Sequence, residues 1–310
     1  MCSGERVERR PRHVLSFDIE EHFQVAAFWS VARRREWDHL ASRVERNTRK
    51  IADLLSEHST KATFFVLGWV AERHPGLVKD LAQHGHEIGS HGYGHELVHT
   101  QTPAQFREDV RRSKQILENL IGRQVMGYRA PSFSITSRTK WALCVLVEEG
   151  YRYDSSIYNR FRGAQERSIT GAGAYQLETE AGRIWEVSPS TMNGCGLQLP
   201  VAGGGYFRLF PYAASKMFLK SLEKQGAQLV MYLHPWELDP QQPRMDGPVL
   251  SRIRHYMNLD KTEQRLRLLL RDFNFAPIHD VVDPIRDMYT RQGEQLGQIV
   301  AKREPVFLPA

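Results

Sequence analysis

Apolar residues change their period along this chain in a repeating order. In "HVLSFDIEE" they alternate, so Leu15, Phe17 and Ile19 share one face of an extended segment and Ser16, Asp18 and Glu20 share the other. Over 37–57 the period lengthens to that of a helix, with Leu40, Val44, Ile51, Leu54 and Leu55 in one stripe. "KATFFVLG" reads as a strand, "WVAERHPGLVKDLAQHG" as a helix around Pro75 that stops at Gly85, and "HEIGS" as a short strand. Thr102 and Pro103 are a good N-cap and first-turn pair for a helix to about Leu120. Further on, "VMGYRAP", "YRYDSS", "IWEVSPS", "QLVMYLHPW" and the end near "NFAPIHDVV" read as strands. "RTKWALCVLVEEG", a segment opening at Pro211, and 261–271 read as helices.

Strand alternating with helix predicts one α/β domain with a mostly parallel sheet, either a barrel or a doubly wound sheet. The expected layout is a basic tail over 1–12, a globular domain over 13–283, and a C-terminal helix and tail over 284–310. Two stretches, 155–183 and 190–206, read as irregular loops because glycine is frequent in them. In a (β/α) barrel, chemistry sits at the C-terminal ends of the strands. Polar clusters fall there after "LSF", "HEIGS", "MGY" and "MYL".

Composition narrows the class. With 310 residues, 41% hydrophobic and 25% charged, the chain suits a globular domain with a sizeable core. Its net charge of +6 is spread over clusters such as Arg9, Arg10 and Arg12, then Arg33, Arg34 and Arg35, then Arg111 and Arg112. None is interleaved with aromatics as a nucleic-acid groove would be, so no nucleic-acid partner is expected. Cys2, Cys144 and Cys195 are odd in number and unpaired in spacing, which fits a reducing compartment. "MCSGERVERRPRH" has no apolar signal region, and no run approaches a membrane span. A cytoplasmic location is expected, and peripheral membrane association is compatible with it.

Four segments carry candidate chemistry. On the first strand, Asp18 and Glu20 point the same way, and two buried carboxylates need a cation or donors to offset their repulsion. In "SHGYGH", His91 and His95 lie four apart, which on a helical turn puts two imidazoles on one side. Gly92 and Gly94 let the backbone fold tightly around an ion. His84, His86 and His99 read as surface or supporting residues. Two histidines and one carboxylate make a metal site with open positions, as in zinc hydrolases or non-haem iron oxygenases. "YRAPSFS" brings Arg129, suited to hold a carboxylate base ionised, and Pro131 beside it. "MYLHPWE" delivers His234 at a strand end, placed for general acid work, with Trp236 next to it. Phe23, Trp29, Tyr206, Phe207 and Trp236 are the aromatics suited to stack on sugar faces.

The order Asp-x-Glu, "SHxxxH", "RAPSFS", "DSS" and "LHP" resembles the NodB-type polysaccharide deacetylases, carbohydrate esterase family four, over about 14–280. With "FDIEEHFQV", "GGGYFRL" and "YLHPWE" it is most similar to the subgroup of exosortase-linked exopolysaccharide loci. The resemblance implies a deformed (β/α) barrel, a divalent metal (zinc, with cobalt, manganese, nickel or iron as alternatives) and removal of N-acetyl groups from aminosugar polymers. It implies Asp18 as base, His91 and His95 as metal ligands, Arg129 orienting the base and His234 as general acid. Two positions depart from the family pattern. Ile19 stands where a second aspartate is usual, so strand parity selects Glu20, over Glu21, as the carboxylate ligand. Pro235 follows His234, so the acid orienting that histidine is expected to be Asp154 or, next, Glu186. The rival readings are a ureide or cyclic-amide hydrolase of the same fold, a degenerate glycan-binding module, and an iron oxygenase. The oxygenase reading is weakened because "SHGYGH" lacks its His-x-Asp/Glu spacing.

Overall fold

The computed structural model describes residues 12–29, 33–158, 173–194, 197–282 and 285–290. A nine-stranded sheet runs in the order β10, β1, β2, β3, β4, β5, β7, β6. These are β1 (Arg12–Ile19), β2 (Thr63–Val66), β3 (Glu87–Ser90), β4 (Gly127–Tyr128), β5 (Tyr153–Asp154), β6 (Ala174–Thr179), β7 (Gly182–Val187) and β10 (Val230–Leu233). The ninth, β11 (Asn274–Ala276), pairs with the first residues of β1. All neighbours are parallel except the β6–β7 hairpin. The ends of the sheet meet through Ser190, not through a regular ladder. Its N–H donates to the Val230 carbonyl at 3.1 Å, and its Oγ accepts from the Val230 N–H at 2.9 Å. The result is a deformed barrel.

The alternation of β1 sorts residues between two apolar bodies. Leu15, Phe17 and Ile19 face outward into the main core, against Ile51, Leu54 and Leu55 of α1 (Val44–Glu57) and Val78 of α3 (Pro75–Gln83). Val14 faces inward with Phe65, Met126, Tyr153, Val187 and Val230. Ile278, Val281, Val282 and Ile285 from the C-terminal segment close the bottom of this interior. That leaves Ser16 and Asp18 near the top.

Several boundaries differ from the sequence expectation. The helix expected over 37–57 is a 3-10 turn, Arg34–His39, followed by α1, and Leu40 lies in the gap. Glu21 accounts for the break: its carboxylate accepts the N–H groups of Arg43 and Val44 and so fixes the start of α1. Around Pro75 there are two helices, α2 (Gly68–Arg73) and α3, because proline cannot donate in mid-helix. The expected loops hold structure: β6 and β7 lie within or just after 155–183, and 190–206 contains the hairpin β8 (Thr191–Gly194) and β9 (Leu197–Pro200) and the start of α6 (Gly204–Leu209). Residues 285–290 are helical. The basic tail up to residue 11, Cys2, Cys195 and residues 291–310 lie outside the described residues. No described helix is long and apolar enough to cross a membrane.

Candidate active site

Arg129 organises the top of the barrel. It is fully buried, with its guanidinium 4.2 Å from the Phe65 ring. Nη1 donates to Asp18 Oδ1 at 2.7 Å and Ser16 Oγ at 2.9 Å, Nη2 to Ser155 Oγ at 2.7 Å, and Nε to the Ser155 carbonyl at 3.1 Å. A buried charge is tolerable only with such pairing. Asp18 and Glu20 are themselves 2% and 3% exposed, so neither is a loop acid in solvent.

His91 follows β3 directly. Its Nδ1 donates to the Arg129 carbonyl at 2.7 Å, which places the proton there and leaves the Nε2 lone pair free. The chain then turns at Gly92, with φ +76°, and at His95, with φ +52°. The two histidines are therefore brought together by a left-handed loop, and not by the helical turn their spacing suggested. Asp109 of α4 (Pro103–Ile121) holds this loop by accepting from Tyr93 N at 2.8 Å and Gly94 N at 3.0 Å. A side chain at Gly92 would sit 2.6 Å from Asp109 Oδ1, so both the turn and the space call for glycine.

Glu20 Oε2 lies 2.5 Å from His95 Nε2 and 3.8 Å from His91 Nε2. One ligand atom from each of the three residues falls within 4.8 Å of the others. Burial alone would raise the pKa of Glu20, but the imidazoles of His95, His234 and His91 hold it well below the usual carboxylate range. The donor set, two imidazole nitrogens and one ionised oxygen, fits a divalent transition metal and leaves further coordination positions open.

His234 closes the opposite side, one residue after β10. Its Nε2 is 3.8 Å from Asp18 Oδ2 and 3.7 Å from Glu20 Oε1. Its Nδ1 donates to Glu237 Oε1 at 2.7 Å. Burial alone would lower the His234 pKa, but the carboxylates of Glu20, Glu237 and Asp18 raise it to about 9. Burial would likewise raise Glu237, yet Arg208 and His234 hold it low; Arg208 Nε donates to Glu237 Oε2 at 2.6 Å.

Neither acid expected to orient His234 does so. The β5–β7 register sets Asp154 opposite Glu186, on the face of the sheet opposite the interior residues Tyr153 and Val187. Asp154 accepts from Ser156 Oγ at 2.5 Å, while Glu186 accepts from Ile157 N at 3.0 Å. Burial pushes both carboxyls up, and the charge of Asp154 pushes Glu186 further. Asp154 supports Ser156, whose Oγ accepts from Ala130 N at 2.7 Å and braces "RAP".

The other named residues divide. Pro131 is buried at the start of the 3-10 turn Pro131–Phe133. Trp236 is not an open sugar platform: it is buried between His234 and His255 and donates from Nε1 to Glu20 Oε1 at 3.0 Å. Tyr206 is half-buried and stacks on Phe210, while Phe23 and Phe207 belong to the core. Trp29 stands edge-on to His95, with ring centroids 6.1 Å apart. Sequence reasoning missed Glu237, Arg208 and Asp109. The available signal for Glu237 was its place three residues after His234, as in a capping box, which the structure contains.

Residues 36–153 match the family described as "Polysaccharide deacetylase", and 155–283 match a domain of unknown function, DUF3473. A peptidoglycan-N-acetylglucosamine deacetylase of Bacillus cereus is 38% identical over 96 residues, 31% of this chain and 35% of that protein. The peptidoglycan-N-acetylmuramic acid deacetylase PdaA of Bacillus subtilis is 30% identical over 90 residues, 29% of this chain and 34% of PdaA. The chain thus spans about a third of the length of these relatives. A crystal structure assigned as a polysaccharide deacetylase from Mycobacterium smegmatis superposes over 89% of this chain and 90% of its own, with a TM-score of 0.58 and 19% identity, a likeness of fold. Residues 36–153 are thus similar in sequence to polysaccharide deacetylases, and the described residues share the deformed-barrel fold of the Mycobacterium smegmatis structure.

Proposed function

We propose that this protein is a metal-dependent hydrolase that removes N-acetyl groups from aminosugar units of a bacterial polysaccharide, with an exopolysaccharide as substrate. The observation that carries the reading is the convergence of Glu20, His91 and His95 between Asp18 and His234. Glu20, His91 and His95 would hold a divalent ion, with zinc suited to the set; when bound, it supplies Lewis acidity to a carbonyl and acidity to a water. Asp18, kept in place by Arg129, acts as base toward the attacking water. His234, protonated through neutral pH and oriented by Glu237, gives its proton to the leaving amine. Arg129 also fixes His91 through its carbonyl, so one residue ties the base to a ligand. The named activities of the similar enzymes, on N-acetylglucosamine and N-acetylmuramic acid of peptidoglycan, support amide cleavage on an aminosugar.

The test is acetate release from N-acetylglucosamine oligomers and from extracted exopolysaccharide by zinc-loaded protein, with His91→Ala beside it. Release abolished in His91→Ala is expected. No release from any acetylated polymer by zinc-loaded protein would sink the reading.

A further inference from the structure

Five large apolar side chains are exposed among the described residues, and three of them lie on one short helix. This is α8 (Val249–Tyr256), where Val249, Leu250 and Ile253 are 70%, 67% and 55% exposed. At about 100° per residue they fall within one arc of about 100°. Arg252 flanks the arc on one side and Arg254 on the other, both exposed. Arg244 lies beside them, stacked 4.2 Å over Tyr256. The stretch 244–256 thus sets three arginines against one acid, Asp246. The opposite side of α8 is anchored: His255 stacks on Trp236 at 4.2 Å and packs edge-on to Phe28 at 4.9 Å.

An apolar ridge bordered on both sides by arginine is poorly matched to water. It is well matched to the headgroup region of an anionic bilayer, where aliphatic tips enter the acyl boundary and guanidinium groups meet phosphates. We propose that α8 docks this protein on an anionic phospholipid surface. Because His255 leans on Trp236, and Trp236 donates to Glu20, the docked helix stands one ring from the candidate metal site. Docking therefore holds the mouth of the barrel at the lipid surface, where a membrane-carried polymer would be presented. The proposal concerns binding alone and does not depend on the hydrolase reading.

The experiment is co-sedimentation of the full chain with vesicles of phosphatidylglycerol and phosphatidylcholine in equal parts, and with phosphatidylcholine alone. Pelleting with the anionic vesicles only, weakened by salt, is expected. Arg252→Ala with Arg254→Ala should weaken it about thirtyfold, and Leu250→Ser with Ile253→Ser should abolish it. All four positions are exposed, so the variants should retain the wild-type circular dichroism spectrum. Absence of anionic-vesicle binding, or binding unchanged in both variants, overturns the proposal. So does a dimer, seen by sedimentation velocity without lipid, that the Leu250 and Ile253 changes dissolve, because the ridge would then serve a second copy.

Discussion

His234 Nδ1 donates to Glu237 Oε1 at 2.7 Å, and the same carboxylate accepts the Arg208 Nε–H at 2.6 Å through its other oxygen. The half-buried histidine, its orienting acid and the acid's counter-ion form one chain, of which Glu237 and Arg208 are buried. Glu237→Gln should lower kcat by about one to two orders of magnitude with little change in KM, the usual scale for losing such an orienting partner. The carboxylate raises the His234 pKa, so its loss should move the alkaline limb of the pH–rate profile to lower pH. A profile with an unmoved alkaline limb would remove Glu237 from this role.

Gly204 places a steric limit on the same chain. A Cβ there would lie 2.0 Å from Glu237 Oε1, inside any tolerable contact. Gly204→Ala should displace the carboxylate and reproduce the kcat loss of Glu237→Gln. Zinc stoichiometry, measured by atomic absorption, should be unchanged, because the three candidate ligands are on other elements.

Glu20 and Glu21 are adjacent and both buried, yet they do different work. Glu20 faces His91 and His95, whereas Glu21 accepts from Arg43 N at 2.9 Å and Ser42 Oγ at 2.5 Å. Glu20→Gln should lose tight zinc binding while keeping most of its thermal stability. Glu21→Gln should keep zinc but lose about 1–2 kcal/mol of stability, the scale of a lost helix cap. Calorimetric zinc titration and thermal melts on both variants separate the roles, and chelation should abolish acetate release until zinc is restored.

At the bottom of the barrel, Glu87 accepts from Thr63 Oγ1 at 2.7 Å, Tyr153 Oη at 2.8 Å and Tyr289 Oη at 2.9 Å. Burial would raise its pKa, but His279, together with the Thr63 and Tyr153 hydroxyls, lowers it to about 2. A depressed carboxylate pKa adds stability that is present above the unfolded-state value and lost as pH falls toward 2. Urea unfolding should show about 2–3 kcal/mol of stability disappearing between about pH 5 and pH 2. Glu87→Gln should flatten that dependence, and an equally steep loss in the variant would assign it to other acids.

How much of this was legible in the chain follows the range of the interactions. Strand alternation is local geometry, so "LSFDIE" by itself put Ser16, Asp18 and Glu20 on one face, and Arg129 does bond both Ser16 and Asp18. The same locality made the Thr102 cap readable, since Thr102 and Gln105 satisfy each other's backbone within one turn. The hairpins in the glycine-rich stretches were not legible, because the β6–β7 pair is seen only once the partner strand is in place.

For the site, residue types and motif order were enough to nominate Asp18, Glu20, His91, His95, Arg129 and His234. Which acid faces which histidine was decided by the tertiary structure. Asp154 was drawn to Glu186 by strand register, a relation between segments with no trace in their local pattern. Glu237 was sequence-near to His234, but its charge is sustained by Arg208 on α6, which reaches it only through the packing of the barrel. Local periodicity depends on a residue and its near neighbours. The ionisation and aim of a buried group depend on what the whole fold brings within a few ångströms of it, and that is why the chain alone nominated candidates and only the fold paired them.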